Sequence, residues 1–518
     1  MMTEPPTEPT STPRRDRLLT GGTALLALTL YFLTLAPGVL DADSGEFQFV
    51  LWLPGLAHPT GYPLYVLLGW LWSHLLPVGE VAWRINLLSA LFAAATVGLT
   101  YRLARQLLAE ALPATPALGQ VVVAAVTALT FAATATFWSQ AIIAEVYSLH
   151  ALFVVLILGL TLKLRKNFEP ERTPAKVLTL AFGLSLTHHR TMVLLLPALL
   201  LFLYLQPAPR SPWRRPRLWL SHALLLVAPL LLYLYLPLIA PVTPYARLDL
   251  SPDQPLILYE NSWWGFWQHL MGSVFSGELQ PAAAGWDRLA LTGQLALAQV
   301  GWPGLALASI GLISLIRPGR YDLLALTGLS SLALVSFNLI YFIGDVYVLF
   351  IPVWLIVCLW LGLGLLTLAH RLAHRLTQAK AGSKDTPIFS GLARRLESNI
   401  YRLLVVAISS IGFIWPLVLV TSQFSSLSQA DNFIAAQRWQ PLLAEPLPPK
   451  AVLVTNDRNE IMSLWYYQYV EGRRPDLLGL FPLIVPDPAF ANVGRVLDQA
   501  LASGRPVYLI KPMAGLGL

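Results

Sequence analysis

Long apolar runs, separated by short polar segments, dominate the chain. Several of them approach or exceed the roughly 20 residues that a helix needs to cross about 30 Å of hydrocarbon. Basic residues fall at every second boundary between the runs, beginning with Arg14, Arg15 and Arg17 before the first one. Because Lys and Arg collect on the cytoplasmic side of a membrane, this alternation predicts about eleven spanning helices and a cytoplasmic N-terminus.

The predicted membrane domain covers residues 18–421. The residues before it, 1–17, are polar and rich in proline, which predicts a disordered cytoplasmic tail. The segment 38–84 is predicted to be the first outer loop, and a later outer turn is predicted at Gly344-Asp345. The apolar piece Tyr62–Leu76 of the first loop is too short to span comfortably, so we expect a juxtamembrane or re-entrant helix there.

The last part of the chain, residues 422–518, has shorter apolar runs and more polar punctuation. Lys450–Thr455, Leu477–Val485 and Arg505–Lys511 are predicted to be strands, with a helix near Asn492–Leu501. Alternating strands and helices are typical of parallel sheets, so we expect a small α/β domain outside the membrane. Neither a GxGxxG motif nor a P-loop accompanies it, which leaves a nucleotide site unsupported.

Composition agrees with this interpretation. The chain is 56% hydrophobic and only 12% charged, and its mean hydropathy is +0.60, whereas soluble globular proteins are about 25% charged. The net charge of +7 follows the alternating basic segments, so it reflects topology and predicts no nucleic-acid partner. The single cysteine, Cys358, excludes an intrachain disulfide.

Three carboxylates lie close together just after the first predicted helix: Asp41, Asp43 and Glu46. If this segment is helical, Asp43 and Glu46 are three positions apart and share a face. Like charges this close raise each other's proton affinity, which suits a general base or a cation ligand. The alternative is a solvated loop in which Asp43 or Ser44 caps a helix.

Further ionisable side chains occur at other outer positions. His58 opens a proline- and glycine-rich turn, while Glu145 and His150 fall in the outer part of a predicted helix, Ala141–Leu162. A charge at such a depth is costly and usually functional. The structural alternative is that Glu145 pairs with Arg84 or His150.

The cluster His188-His189-Arg190 lies at another predicted outer turn. Its cationic and hydrogen-bonding side chains suit a phosphate at the membrane surface, and the alternative is an ordinary polar turn. The spacing of the histidines and acids matches no standard zinc pattern, so no metal ligand is assigned.

Four segments together carry a family resemblance: Asp43-Ser44-Gly45-Glu46, His58-Pro-x-Gly-Tyr-Pro-Leu64, Ala144-Glu-Val-Tyr-Ser-Leu149 and Arg474-Pro-Asp476. This combination resembles the bacterial relatives of the eukaryotic transmembrane protein O-mannosyltransferases, within the glycosyltransferase-C superfamily. The resemblance implies an all-α polytopic membrane fold with an outer soluble domain, an acidic catalytic motif in the first outer loop, and a polyprenyl-phosphate sugar as donor.

Carried over to this chain, the resemblance makes Asp43 the first choice for the catalytic base, with Glu46 and Asp41 supporting it. The residues expected to bind substrate or donor are His58, Tyr62, Glu145, Tyr147, His150, His188, His189 and Arg190. A divalent cation stays open as a cofactor. The segments holding Asp43, Glu46, His58, Glu145 and the turn 188–190 are expected to line one outward-facing cavity.

The resulting hypothesis is an inverting glycosyltransferase of the plasma (inner) membrane, which moves a sugar from the donor to a hydroxyl on a protein or glycan. Asp43 would accept the hydroxyl proton, and Arg190, His188 or His189 would stabilise the departing lipid phosphate.

Two other classes of protein remain as alternatives. A transporter or flippase would need inverted repeats and ionisable groups near the bilayer midplane, and neither is clear in the sequence. A non-catalytic assembly protein would leave the acidic cluster between Asp41 and Glu46 unexplained.

Overall fold

The computed structural model describes residues 13–165, 169–207, 216–251, 254–283, 285–381, 390–482 and 490–513. The chain is mostly helical in these ranges. The helices of its first half are α1 (Pro13–Leu33), α2 (Ala42–Val50), α3 (Pro63–Leu75), α4 (Val81–Ala111), α5 (Ala117–Ala132), α6 (Ala135–Ala141), α7 (Tyr147–Lys163), α8 (Thr173–Leu186), α9 (Leu196–Tyr204), α10 (Pro216–Val227) and α11 (Tyr235–Ile239).

The helices of the second half are α12 (Trp263–Met271), α13 (Trp286–Ser314), α14 (Tyr321–Leu324), α15 (Ser330–Ile340), α16 (Ile351–Ala381), α17 (Ser390–Ile411), α18 (Ile414–Leu427), α19 (Ile434–Ala444), α20 (Arg458–Tyr469) and α21 (Val493–Ala502). The strands are β1 (Arg247–Ser251), β2 (Gln254–Ile257), β3 (Val452–Val454), β4 (Leu478–Leu480) and β5 (Val507–Leu509).

Six stretches of helix in the described ranges are long and apolar enough to cross a membrane, or seven if α5 and α6, bent by 68°, count as one span. The six are Val81–Ala111, Arg217–Val242, Trp286–Ser314, Tyr321–Ile340, Val346–Gln378 and Leu396–Leu427. The predicted count of about eleven spans is therefore not confirmed. The difference arises because three predicted crossings form shorter apolar helices, Tyr147–Lys163, Thr173–Leu186 and Arg190–Tyr204, and because α1 is not among the candidates.

One helix, α16, lies at the centre of the larger hydrophobic core, and the apolar window of its span is entirely buried. Its backbone approaches α13 so closely that only glycine fits at the contact. A Cβ at Gly311 would lie 1.8 Å from the carbonyl oxygen of Trp360, and one at Gly364 would lie 1.9 Å from that of Leu307. Small residues at helix contacts are the usual way in which spanning helices pack tightly.

The first outer loop is not an open loop, because it contains the short helices α2 and α3. Helix α3 occupies the segment in which a short juxtamembrane or re-entrant helix was expected, and Pro63 is at its start, where the missing N–H costs nothing. One sequence-based placement is wrong: Glu145 does not lie within a helix. The bend between α6 and α7 contains it.

The three short strands near the C-terminus form a parallel sheet in the order β4-β3-β5. Each lies inside a segment predicted to be a strand, although residues 483–485, the end of the second predicted strand, lie outside the described part. We call the segment from Ile434 to Met513 the C-terminal unit. Its helix α20 packs directly on α2 in a second hydrophobic core, where the rings of Phe49 and Trp465 are 5.9 Å apart. The first outer loop and the C-terminal unit therefore share one core.

Candidate active site

The acidic residues of the first outer loop stand at the beginning of α2. Asp41 is the N-cap residue, so the alternative in which Asp43 or Ser44 caps this helix is wrong. Asp43 and Glu46 lie one turn apart inside the helix, where side chains three positions apart share a face. The two side chains differ in exposure, because Asp43 is 41% exposed and Glu46 only 6%.

Local packing fixes the position of α2. A Cβ at Gly45 would lie 2.3 Å from the carbonyl oxygen of Leu40, so this turn of the helix accepts only glycine. The Gln48 side chain accepts a hydrogen bond from the Leu40 amide (2.9 Å) and donates to the Gly38 carbonyl (3.1 Å) and to Asn86 Oδ1 (3.0 Å). These contacts hold the loop that carries the acids against α4.

Both acids are bound by one arginine from the other end of the chain. Arg458, the first residue of α20, donates from Nη1 to Asp43 Oδ1 at 2.8 Å and from Nη2 to Glu46 Oε2. A planar guanidinium suits such a double contact because its N–H groups are held in a fixed fork. Burial lowers the pKa of Arg458, but Glu46 and Asp43 outweigh it and raise the pKa overall.

His58 completes this group of charges. Its backbone N–H donates to Glu46 Oε1 at 2.7 Å, and its Nδ1 lies 2.8 Å from Glu46 Oε2. Burial opposes ionisation of both the Glu46 carboxyl group and the His58 imidazole. Arg458 and His58 nevertheless lower the pKa of Glu46 to about 2, while Glu46 and Asp43 raise the pKa of His58 to about 9. Asp43, Glu46, His58 and Arg458, the Arg458 cluster below, thus contain two anions matched by two cations.

Asp41 has separate partners from the C-terminal unit. Arg438 Nη1 donates to Asp41 Oδ2 at 2.8 Å, and the Ser463 hydroxyl donates to Asp41 Oδ1. Both side chains of the ion pair are about one-third exposed (30% and 28%). Asp41 is therefore fully engaged by the C-terminal unit.

A cavity of about 590 Å³ opens beside α2. Its acidic lining residues are Asp41, Asp43, Glu145 and Asp345, and the neutral side chains around them include Ser44, Gln140, Tyr147, Asn432 and Asn459. The lining contains no Lys, Arg or His among the described residues. A cavity with many carboxylate, amide and hydroxyl groups suits a polyhydroxylated ligand better than a bare phosphate.

Glu145 reaches this cavity from the bend before α7. The Ser44 hydroxyl is 3.4 Å from its Oε1, and the Val146 amide is 3.3 Å from its Oε2. Burial raises its pKa well above the usual range, and Asp43 and Asp345 act in the same direction. In the structural alternative Glu145 pairs with Arg84 or His150, but the Arg84 guanidinium donates to backbone carbonyl oxygens instead.

Asp345, which lies between α15 and α16, was not among the expected site residues. Its Oδ2 is 3.5 Å from the hydroxyl of Tyr147, and burial followed by Asp43 raises its pKa. Its position in a predicted outer turn was the available signal, because that turn was expected on the same side as Asp43. Arg458 and Arg438 were also missed, since neither stands in a recognisable motif.

The expected donor-binding histidines form a buried group next to the Arg458 cluster and do not line the cavity. Tyr62 links the two groups, with its ring 5.3 Å from His58, 6.2 Å from His188 and 6.4 Å from His189. His150 stacks on His189 at 4.2 Å. His188 is 1% exposed, its Nε2 lies 2.8 Å from the carbonyl oxygen of Val146, and burial lowers its pKa to about 4.

Arg190 points away from these histidines toward α12. Its Nη1 donates to the carbonyl oxygen of Met271, the last residue of that helix. His269 of α12 lies 3.0 Å from the carbonyl oxygen of Ala57, next to His58. The side chains of His188 and Arg190 in the turn 188–190 therefore contact backbone carbonyl oxygens of neighbouring segments and do not enter the cavity.

A divalent cation fits this site poorly. Ligand atoms of Asp43, Glu46 and His58 lie within 4.8 Å of one another, as in a metal site. However, Arg458 already binds both carboxylates. Burial lowers the pKa of His58, but Glu46 and Asp43 outweigh burial and raise this pKa overall, which favours the protonated form. A protonated histidine cannot ligate a metal, so a cation would have to displace Arg458 and the histidine proton together.

Comparisons with known proteins show similarity to protein O-mannosyl-transferases in sequence and to ArnT in fold. Residues 43–211 match the family model described as "Protein O-mannosyl-transferase TMEM260 N-terminal domain". The chain is 33% identical over 243 residues to the Protein O-mannosyl-transferase TMEM260 of Mus musculus, covering 46% of this chain and 31% of that protein. It is 26% identical over 312 residues to that of Dictyostelium discoideum, covering 55% of this chain and 35% of that protein. The chain thus spans about a third of the length of these relatives.

The fold is similar to that of ArnT from Cupriavidus metallidurans. With the structure of ArnT bound to undecaprenyl phosphate the TM-score is 0.54 at 14% identity, covering 96% of this chain and 90% of that one. With apo ArnT the TM-score is 0.52 at 15% identity and the same coverage. Residues 43–211, which contain Asp43 and Glu46, are thus similar to the N-terminal domain of the TMEM260 protein O-mannosyl-transferases, and the fold of the chain is similar to that of ArnT.

Proposed function

We propose that the chain is a membrane glycosyltransferase that moves a sugar, mannose being the first candidate, from a polyprenyl phosphate to a hydroxyl of a protein or glycan. The names of the relatives suggest the sugar, and the undecaprenyl phosphate bound to ArnT suggests the lipid. The reaction takes place on the extracytoplasmic face, where the predicted topology locates the first outer loop.

The observation that carries the proposal is the exposure of Asp43 and its position at the cavity. Asp43 is the more exposed acid of the Arg458 cluster, and it lines the cavity beside Glu145 and Asp345. Glu46, by contrast, is buried, and His58 and Arg458 bind its oxygens. A general base must reach the proton that it removes, so Asp43 and not Glu46 is the base.

The reaction is a one-step displacement. The acceptor hydroxyl oxygen forms a bond to the anomeric carbon while the bond from that carbon to the lipid phosphate oxygen breaks, and the anomeric centre inverts. The hydroxyl proton moves to Asp43, and the polyprenyl phosphate leaves with the bonding electron pair. The polyhydroxylated sugar fits a cavity lined by carboxylates and amides.

The departing phosphate needs a cation beside Asp43. The sequence suggested Arg190, His188 or His189 for this role. Arg190 instead donates to the carbonyl oxygen of Met271, and burial lowers the pKa of both histidines and leaves them neutral. Burial opposes a charge on His58 too, but Glu46 and Asp43 outweigh it and raise the His58 pKa to about 9, so it carries charge at neutral pH. We therefore assign the phosphate to the side of Asp43 on which His58 stands.

The proposal is tested by incubating the purified protein in lipid nanodiscs with radiolabelled polyprenyl-phosphate mannose and a membrane extract as a source of acceptors. The wild type should move label from the lipid fraction into protein or glycan. Asp43→Asn keeps the size of the side chain but should reduce this rate about a hundredfold to ten-thousandfold. Equal rates for both proteins, or no transfer by the wild type from lipid-linked mannose or other lipid-linked sugars, would reject the function.

The membrane face is tested by cysteine labelling in intact cells. The only natural cysteine, Cys358, is buried, so its background labelling should be low. A cysteine in place of the exposed Arg495 should react with an impermeant maleimide in intact cells, whereas one in place of the exposed Arg102 should react only after lysis. The reverse pattern would put the site on the cytoplasmic face.

A further inference from the structure

Asp43 has two oxygens in different environments. Oδ1 accepts the hydrogen bond from Arg458, whereas Oδ2 accepts no hydrogen bond from the described residues. His58 Nε2 lies 4.0 Å from Oδ2, which is beyond hydrogen-bond reach. One oxygen is therefore fixed and the other is left to accept a proton.

We infer that Arg458 is a positioning residue, which holds Asp43 Oδ1 so that Oδ2 is the atom that accepts the acceptor's proton. The inference rests on the proposed function. Arg458 acts through Asp43, and no contact between Arg458 and the sugar is required.

The backbone around Arg458 is well suited to holding a side chain still. The Asp457 side chain caps α20 by accepting a hydrogen bond from the Asn459 amide at 2.9 Å. One turn further along the helix, the Ser463 hydroxyl donates to Asp41 Oδ1, and its oxygen lies 3.2 Å from the carbonyl oxygen of Leu40. The guanidinium, 19% exposed, thus extends from a capped helix that is itself bonded to the loop carrying Asp43.

Without Arg458, the charges around Asp43 favour a different arrangement. His58 Nε2, only 4.0 Å from Oδ2, would be the remaining cation near Asp43. A small rotation of the carboxylate would then form a charge-assisted hydrogen bond to His58 and occupy the reactive oxygen. Arg458 prevents this rotation of the Asp43 carboxylate by binding Oδ1.

The test compares Arg458→Ala, Arg458→Lys and the control Arg495→Ala in the nanodisc assay with polyprenyl-phosphate mannose. Arg495 is exposed on α21 of the same C-terminal unit, and its substitution by Ala removes the same charge. We expect Arg458→Ala to lower kcat about a hundredfold, the cost of misplacing a reacting group by about 1 Å, with the donor KM little changed. Arg458→Lys should be intermediate because it keeps the charge and loses the fork. Arg495→Ala should match the wild type.

Chemical rescue separates positioning from a structural role. Added guanidinium chloride, below denaturing concentrations, should restore part of the kcat of Arg458→Ala and none of that of Asp43→Asn. A kcat for Arg458→Ala equal to that of the wild type, or a lowered kcat that guanidinium does not raise, would overturn the inference. If Arg458→Ala does not fold, Arg458→Lys becomes the deciding variant. A kcat of Arg458→Lys equal to that of the wild type would then overturn the inference.

The two proposals fail in different ways. An inactive wild type, or a fully active Asp43→Asn, rejects the transferase function itself. An active wild type, an inactive Asp43→Asn and an unaffected Arg458→Ala reject only the role of Arg458.

Discussion

Two ionic clusters stand at opposite ends of α7, and they are built from the same chemistry. The Arg458 cluster lies near its first residue. Near its last residue, Arg165 binds Asp322 (Nε to Oδ2, 2.6 Å) and Glu110 (Nη1 to Oε2, 2.5 Å). We call these three residues the Arg165 cluster. In each cluster an arginine binds two acids that are far from it along the chain.

The two clusters differ in how many carboxylate oxygens of the aspartate accept hydrogen bonds. Both oxygens of Asp322 are used, since Arg165 and the Leu323 amide donate to Oδ1 while Arg165 and Gln206 donate to Oδ2. Asp43, in contrast, keeps one oxygen without a donor among the described residues, and it lines a cavity. The Arg165 cluster therefore links the segments that carry Glu110, Arg165 and Asp322, whereas the Arg458 cluster keeps a free acceptor oxygen. Under the proposed function, this oxygen beside a cavity, and not the ion pair itself, distinguishes a catalytic cluster from a structural one.

The largest effects are expected from matched changes at the two aspartates. Asp43→Asn should lower kcat by about a hundredfold to ten-thousandfold with little change in Tm. Asp322→Asn should do the opposite and lower the free energy of unfolding by about 2–3 kcal/mol, because it weakens charged hydrogen bonds to a buried arginine.

Activity and thermal unfolding of the two variants in detergent are the measurements. A stable but inactive Asp322→Asn would erase the distinction between the clusters, and so would an Asp43→Asn whose loss of activity merely followed a loss of folded protein.

A smaller effect is expected from pH. Burial lowers the pKa of His58, but Glu46 and Asp43 outweigh the effect of burial and raise this pKa from 6.5 to about 9. A group with a raised pKa contributes stability that is complete below its unfolded pKa and is lost as the pH rises through the folded one. The stability of the wild type should therefore fall between pH 6.5 and about 9, by on the order of 3 kcal/mol.

Thermal unfolding across this pH range measures that loss, and His58→Gln is the control, since it should be less stable at the lower pH and show a flatter profile. A wild-type curve as flat as that of His58→Gln would mean that His58 is not charged in the folded protein.

The smallest effect is expected at Asp41. Its ion pair with Arg438 is about one-third exposed, and such pairs contribute only about 0–1 kcal/mol. Asp41→Asn keeps the size of the side chain and should leave kcat within about threefold of the wild type, because the residue lies outside the Arg458 cluster. The nanodisc assay tests this, and a loss as large as that of Asp43→Asn would move the base to Asp41.

The sequence could predict the parts of the site that are close along the chain. Asp43 and Glu46 share a face because a helix places residues three apart together, and the family resemblance pointed to Asp43. The general glycosyltransferase-C fold was also predicted and is confirmed by the comparison with ArnT. The assignment of Asp43 as base stays a prediction.

Contacts between distant segments could not be predicted. Arg458 is 415 positions from Asp43, and only the packing of α20 on α2 brings them together. The number of spans is not confirmed, and hydropathy does not show where a helix breaks. Breaks occur between α5 and α6, which are bent by 68°, and between α6 and α7, where Glu145 lies.

The separation between Asp43 and Arg458 also has a consequence for biosynthesis. Chains are made at about 5–20 residues per second, so the 415 positions between these residues correspond to roughly 20–80 s of synthesis. During this time Asp43 has been synthesised and Arg458 has not. If Arg458 positions Asp43 as proposed, the nascent chain cannot assemble the Arg458 cluster until α20 has been made.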